Sequence, residues 1–346
     1  MGWSLGTNDA ANAFGTAVAT RVVKYKHAVI IIAVLVVVGA FFMGENNIGK
    51  VAELANSNKV TPSIMQVEQA VENETTEVLR LQTSIKAAII FACAGLTVFL
   101  MSYLKFPVSA NQSITGGIIG WGLFYANYAN PEVLAINLPQ IQKFVITWVI
   151  NPLGSGCIAA LLVAFFNRFV TKRLNSISGY DRMIKIGYLV AGAFASYSIG
   201  MNSSANVTAL YYDPFFAQTG VASNLLTNPT LTATIGGIAI AIGVLTYSKR
   251  VMMTVGTSIA ELTPLEGFLV VISMSLTIVI MGNWMGIPVS TSQAVVGAVI
   301  GAGMVKNFRS VHYGVFKRIA IAWVSSPLIA GIMTYIVAVA TKGYFS

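Results

Sequence analysis

Charged residues are scarce in this sequence. Asp, Glu, Lys and Arg make up 10% of the 346 residues, whereas hydrophobic residues make up 55%, and the mean hydropathy is +0.73. A soluble domain has about a quarter of its residues charged, so this composition excludes a water-soluble globular protein. The chain is predicted to be an integral membrane protein.

Histidine and cysteine are also rare, with two of each. Cys93 and Cys157 lie in apolar stretches, and His27 and His312 stand alone at loop edges. The sequence therefore predicts no metal cluster, redox pair or enzyme active site. The net charge of +9 comes from Lys and Arg in short loops rather than on one basic stripe, which argues against nucleic acid as a partner and for a role in membrane topology.

Long apolar segments recur along the whole chain. A helix needs about 20 apolar residues to cross a bilayer, whereas the strands of a membrane barrel are short and alternating. The pattern predicts an all-α polytopic membrane protein. Ten segments are expected, at residues 1–20, 27–44, 83–103, 106–126, 143–167, 184–212, 230–247, 264–282, 286–304 and 319–341.

The distribution of basic residues predicts the orientation. If every segment crosses, fifteen of the 21 Lys and Arg residues fall on one side, which the positive-inside rule makes cytoplasmic. Both chain ends then lie outside a plasma membrane or bacterial inner membrane. The outer loop 45–83 carries six Glu residues, and its apolar spacing predicts an amphipathic helix over the bundle.

A cluster of amide and carboxylate side chains occurs twice. Residues 6–13 read GTNDAANA, and residues 200–207 read GMNSSANV. The two asparagines of each copy are four residues apart and share a helix face. Asp9 gives the first copy a formal charge, and its counterpart is Ser203. An ionisable residue inside a membrane span predicts a functional site, although helix interfaces also use Asn and small residues.

A second motif is also duplicated. Residues 106–116 read FPVSANQSITG, and residues 287–297 read IPVSTSQAVVG. Each copy is predicted to break a helix at proline and restart it with a Ser-x-x-Gln capping box. A helix N-terminus with free N–H groups and hydroxyls is suited to an anion, although a simple capped helix remains the alternative.

A third, weaker pair is a proline within the last span of each half, at Pro152 and Pro327. We interpret these prolines as kinks without a ligand role. The three motifs follow one another in the same order, which predicts two repeats, residues 1–170 and 180–346. An odd number of spans separates their starts, so the repeats are expected to be inverted, with broken helices or helical hairpins meeting at the membrane midplane.

Together the motifs resemble the signature of the inorganic phosphate transporter (PiT) family of sodium-phosphate symporters. The resemblance covers essentially the whole chain and implies a prokaryotic member, because only about ten residues join the halves. It implies that the matching polar positions form the binding shell. Only five residues precede Gly6, so we expect that upstream residues are missing.

The ligands are assigned by their chemistry. Asp9 would repel phosphate unless a cation lay between them, and sodium suits carboxylate and amide oxygens. We predict sodium as the coupling ion, held by Asp9, Asn8, Asn12, Asn202, Ser203 and Asn206. We predict phosphate at Ser109, Gln112, Ser290, Thr291, Ser292 and Gln293, with Asp9 and Asn206 at its edge.

The predicted function is sodium-coupled phosphate symport by alternating access, in contact with membrane lipid and in a possible homodimer. Two alternatives remain open at this point. One is a proton-coupled carrier in which Asp9 titrates, and the other is an anion channel.

Overall fold

The computed structural model describes residues 1–48, 75–128, 138–170, 177–211, 228–284 and 289–344. The described residues are almost entirely helical, and their β pairing is an isolated bridge between Ala260 and Val311. The α-helices are α1 Gly2–Ala19, α2 Tyr25–Met43, α3 Thr75–Tyr103, α4 Ala110–Tyr128, α5 Leu138–Phe165, α6 Ile177–Ser203, α7 Ala205–Thr208, α8 Pro229–Tyr247, α9 Lys249–Thr257, α10 Pro264–Thr277, α11 Thr291–Lys306 and α12 Tyr313–Ala340.

Seven helical stretches are long and apolar enough to cross a membrane among the residues described. Their outward faces are apolar, with Leu161 72% and Val324 66% exposed, as expected for side chains that face lipid. These features confirm an all-α, multi-pass membrane protein. The stretches are Tyr25–Met43, Ser84–Tyr103, Ile141–Val170, Ser178–Tyr211, Pro229–Tyr247, Pro264–Gly282 and Tyr313–Ala340.

The remaining three predicted segments form α1, α4 and α11, which carry the first amide cluster and the two serine motifs. Residues 4–17 of α1 are all buried, and nearly all of α11 as far as Gly303 is buried as well. The other helices therefore shield these three from the surroundings. A polar side chain on them faces protein rather than lipid, which avoids the cost of an unpaired polar group in hydrocarbon.

Close helix contacts connect the two halves of the chain through glycine. A Cβ added at Gly116 would lie 2.0 Å from the carbonyl oxygen of Pro327, and one added at Gly297 would lie 2.1 Å from that of Pro152. Thus α4 packs on α12, and α11 packs on α5. The two contacts are equivalent, because each joins a glycine of the duplicated serine motif in one half to the proline in the last span of the other half. In each contact, the lack of a side chain on glycine allows the backbones to approach.

The prolines do not end their helices, because Pro152 lies inside α5 and Pro327 inside α12.

The two amide clusters differ in backbone conformation. The first lies in the continuous helix α1, whereas the second is interrupted at Ser204, between α6 and α7. The central part of the predicted amphipathic outer segment, residues 49–74, lies outside the described residues.

Candidate binding site

Two helices, α4 and α11, begin with a serine cap at the residues predicted to bind the anion. The Ser109 hydroxyl accepts the backbone N–H of Gln112 at 3.4 Å, and the Ser290 hydroxyl accepts that of Gln293 at 3.3 Å. A side-chain oxygen at the cap satisfies one of the free N–H groups of the first turn. The helix starts predicted at these serines are therefore present.

The predicted capping boxes are incomplete, which corrects that part of the sequence interpretation. A full box needs the glutamine side chain to accept the serine backbone N–H. Instead, the Oε1 atoms of Gln112 and Gln293 and the Nε2 atom of Gln293 are buried without a hydrogen-bond partner among the described residues. Both amides therefore retain free hydrogen-bonding capacity inside the protein.

Asp9 links the first amide cluster to the start of α11. The Asp9 residue is 3% exposed. Oδ2 accepts the Ser203 hydroxyl at 3.0 Å, while Oδ1 accepts the Asn12 amide at 3.3 Å and the Ser292 hydroxyl at 3.4 Å. All three donors are neutral, so these bonds solvate the carboxylate without neutralising its charge.

Asn12 extends this network across the chain. Its Nδ2 atom donates to Thr291 Oγ1 at 3.1 Å and to Ser292 Oγ at 3.3 Å. The Ser292 hydroxyl also lies 3.2 Å from Asn8 Oδ1, which can accept its proton. The structure thus brings residues nearly 300 positions apart in sequence into one polar cluster.

A small, partly open cavity lies beside this cluster. Seven of the predicted ligand residues line it, contributed by both amide clusters and both serine caps. They are Asp9, Ser109, Asn202, Ser203, Asn206, Ser290 and Thr291. Ala110, Asn111 and Val289 complete the lining.

The other predicted ligand residues lie outside this lining. Asn8, Asn12 and Ser292 reach it through hydrogen bonds to its members or to each other. Gln112 and Gln293 are buried, at 2% and 1% exposure, on the first turns of α4 and α11. The cavity therefore has polar side chains on it and immediately behind it.

Two asparagines of this region were not among the predicted ligands. Asn111 lines the cavity and donates to the carbonyl of Val289 at 3.0 Å. Asn151 of α5 donates to the carbonyl of Ser290 at 2.7 Å. A signal was present for Asn111, because it occupies the position of Ser292 in the duplicated motif. The sequence contained no such signal for Asn151, because this residue precedes a proline that was interpreted only as a kink.

The donor atoms suit a hard monovalent cation better than a transition metal. No group of three or more His, Cys, Asp or Glu side chains that could hold a metal occurs in the part of the chain described. Oxygen atoms are available instead. Asn12 Oδ1 is buried without a partner among the described residues, and the amide of the same side chain touches the Asp9 carboxylate. Carboxylate and amide oxygens are ligands that hard cations prefer.

Comparisons with known proteins agree with this architecture. The model of the phosphate transporter family matches residues 5–186 and 178–334. Proteins assigned as phosphate permeases in Pyrococcus horikoshii and Thermococcus kodakarensis are 29% and 28% identical, each covering 97% of this chain and 94% of the relative.

A solved structure described as the sodium-dependent phosphate transporter is similar in fold. It superposes with a TM-score of 0.77 at 24% identity, covering 99% of this chain and 96% of that one. The resemblance drawn from the motifs is confirmed, and the chain is a transporter rather than an enzyme. It belongs to the phosphate transporter family.

Proposed function

We propose that this protein is a sodium-coupled symporter of inorganic phosphate that works by alternating access. The observation that carries the proposal is the position of Asp9. This buried carboxylate lines the same cavity as Ser109 and Ser290, which cap two helix N-termini. Helix N-termini favour an anion, and a carboxylate beside them repels it. A bound cation between the two removes this conflict.

Phosphate is assigned to the two helix starts. Ser109 and Gln112 would contact it from α4, and Ser290, Thr291, Ser292 and Gln293 from α11, with Asp9 and Asn206 at the edge. The free amide atoms of Gln112 and Gln293 support this assignment. A buried polar atom without a partner costs free energy, which a ligand hydrogen bond would recover.

Sodium is assigned to the two amide clusters, with Asp9, Asn8, Asn12, Asn202, Ser203 and Asn206 as the ligand set. The unpartnered oxygen of Asn12 beside the Asp9 carboxylate supports it. The sodium dependence in the description of the structural neighbour is a further support. Bound sodium would supply positive charge next to the anion and raise the affinity for phosphate.

Alternating access is proposed from the arrangement of the halves. We infer that residues 1–170 and 180–346 are inverted repeats that place the site near the membrane midplane, with both termini outside a plasma or inner membrane. The matching glycine contacts of α4 with α12 and of α11 with α5 support two equivalent units. Membrane lipid would surround the exposed apolar face, and a homodimer is part of the proposal.

A proton-coupled carrier is the second candidate. It is favoured by the neutral donors around Asp9, because Ser203, Ser292 and Asn12, which donate to its carboxylate, carry no positive charge. Burial without a cationic partner favours the protonated form of a carboxyl group. A proton would then replace sodium as the partner of the anion.

Phosphate uptake into proteoliposomes tests the proposal, with sodium and proton gradients imposed separately. We expect concentrative, saturable uptake driven by inward sodium at equal pH on both sides. Uptake driven by the pH gradient alone would favour the proton-coupled carrier. Flux without saturation or counterflow would indicate a channel, and a failure to accumulate phosphate under either gradient would contradict symport.

A further inference from the structure

The turn before α4 has its carbonyl groups bound by side chains from other helices. Asn8 Nδ2 of α1 donates to the carbonyl of Phe106 at 3.2 Å. Trp323 Nε1 of α12 donates to the carbonyl of Pro107 at 3.0 Å. These carbonyls belong to the residues that lead directly to the Ser109 cap.

The residues that lead into α11 show the same feature. The carbonyl of Val289 accepts two side-chain amides, Asn111 at 3.0 Å and Asn202 at 3.1 Å. The carbonyl of Ser290 accepts Asn151 at 2.7 Å. Five side chains from α1, α4, α5, α6 and α12 thus bind four carbonyl oxygens at the two helix starts.

The position of Val289 shows why this matters for an anion. Val289 lines the cavity together with Asn111 and Asn202, the two residues whose amides hold its carbonyl oxygen. A free carbonyl oxygen is the negative end of a dipole, so it repels phosphate and attracts a cation. When its lone pairs accept N–H groups, the local potential becomes less negative, and the helix start presents mainly donors.

Given the phosphate site proposed above, on which this inference rests, we propose that four side chains are positioning residues for anion binding. They are Asn111, Asn151, Asn202 and Trp323. Their N–H groups bind the carbonyl oxygens of Pro107, Val289 and Ser290 at the starts of α4 and α11, which removes acceptors beside the proposed phosphate site. The anion selectivity of the site then depends on side chains that need not touch the anion.

The chain offers a matched control for Trp323. Trp148 stands three residues before Asn151 in α5, as Trp323 stands three residues before Ser326 in α12. The indole nitrogen of Trp148 is buried but has no hydrogen-bond partner among the described residues. Phe in place of either tryptophan keeps an aromatic ring and removes the N–H. The Pro107 carbonyl loses its donor in Trp323→Phe, whereas Trp148→Phe breaks no such bond within the described part of the chain.

The experiment uses full-length protein in nanodiscs. It measures the phosphate Kd by calorimetry at saturating sodium, the sodium Kd without phosphate, and the melting temperature. One neutral hydrogen bond is worth about 0.5–1.5 kcal/mol, which corresponds to about 2- to 10-fold in Kd. We expect Trp323→Phe to weaken phosphate binding by this factor and to leave the sodium Kd unchanged. Trp148→Phe should leave both unchanged.

Asn151 provides an independent arm. Asn151→Ala removes the donor to the Ser290 carbonyl and should weaken phosphate binding selectively, while Asn151→Gln keeps an amide that can restore part of the affinity. Equal loss of phosphate and sodium affinity with a lower melting temperature would show a merely structural role and overturn the inference. Wild-type phosphate affinity in both Trp323→Phe and Asn151→Ala would overturn it as well. If the wild-type protein bound no phosphate, the proposed function itself would fail.

Discussion

Asp9 accepts a hydrogen bond of 3.0 Å from Ser203, and these two residues occupy the same position in the two copies of the amide cluster. Equivalent positions of the two halves therefore touch each other at the site. One carries a carboxylate and the other a hydroxyl, so the charge of the site lies where α1 and α6 meet.

Asp9→Asn should remove most of the sodium dependence of phosphate binding. The amide keeps the size of the side chain but not its charge, and a sodium ion held there loses its main electrostatic partner. Coupling between two bound ions is reciprocal, so phosphate affinity should respond less to sodium. Phosphate Kd measured against sodium concentration at two pH values checks this.

The same titration distinguishes a proton carrier. In that case the amide mimics the protonated acid, so binding persists and its pH dependence disappears. Wild-type sodium dependence in Asp9→Asn would show that the carboxylate is structural. Ser275→Ala is the control, because this hydroxyl of α10 donates to the Val271 carbonyl of its own helix and its loss should leave the sodium dependence unchanged.

Moving the charge across the contact should restore part of the function. Asp9→Ser alone removes the carboxylate, and Ser203→Asp alone places two carboxylates side by side, which repel each other. The double variant keeps a single carboxylate, which is now at position 203, within hydrogen-bonding distance of position 9. We expect sodium-dependent uptake in the double variant to exceed that of either single variant. Additive losses in this cycle would show that the positions are not interchangeable.

Ser109→Ala and Ser290→Ala should each weaken phosphate binding without unfolding the protein. A lost cap costs about 1 kcal/mol, or about fivefold in Kd, and a lost ligand hydroxyl adds to it. Ser275→Ala is a suitable control, since this buried hydroxyl of α10 donates to the carbonyl of Val271 one turn earlier in the same helix. If both cap variants kept wild-type affinity in calorimetry, phosphate would have to bind elsewhere.

Gly297→Ala should destabilise the fold, because its Cβ would lie 2.1 Å from the carbonyl oxygen of Pro152. Forcing α11 and α5 apart is expected to cost about 1–3 kcal/mol, as for other overpacked contacts. Gly314→Ala in α12 is the control, with no atom within 4 Å of its added Cβ. Thermal unfolding measures both. Equal melting temperatures would mean that the interface adapts without cost.

Single cysteines at Lys26 and Asn228 should be labelled from opposite sides of the membrane. Both positions are exposed: Lys26 lies in the first turn of α2 and Asn228 directly precedes α8, and each of these helices follows an amide cluster. An impermeant thiol reagent applied to oriented vesicles of a Cys93→Ala/Cys157→Ala background tests this. Labelling from one side would contradict the inverted repeats.

Most of the helices could be predicted from the sequence because lipid-facing residues form long apolar runs. The exception is α9, Lys249–Thr257, which is too short and too polar for that signal. It buries Val251, Met252 and Val255, a helical spacing that becomes meaningful only once α1 is placed beside it. The close approach of Gly256 to Gly15 shows this packing.

The polar members of the site could be predicted from their duplication, but their hydrogen bonds could not. Gln112 and Gln293 have the spacing of a capping box, yet their side chains leave the cap. Asn151 and Trp323 lie far in sequence from Ser290 and Pro107, whose carbonyls they bind, and reach them through helix packing. Such contacts depend on how helices from different halves meet, which local sequence spacing does not determine.

The glycine contacts across the halves have a consequence for assembly. Since Gly116 of α4 packs on α12 and Gly297 of α11 packs on α5, neither half alone can cover these glycine faces. A chain cut between residues 170 and 177 would yield two fragments that stay dependent on each other. Expressed separately, each would leave bare backbone in lipid, whereas expressed together they should recombine into one transporter.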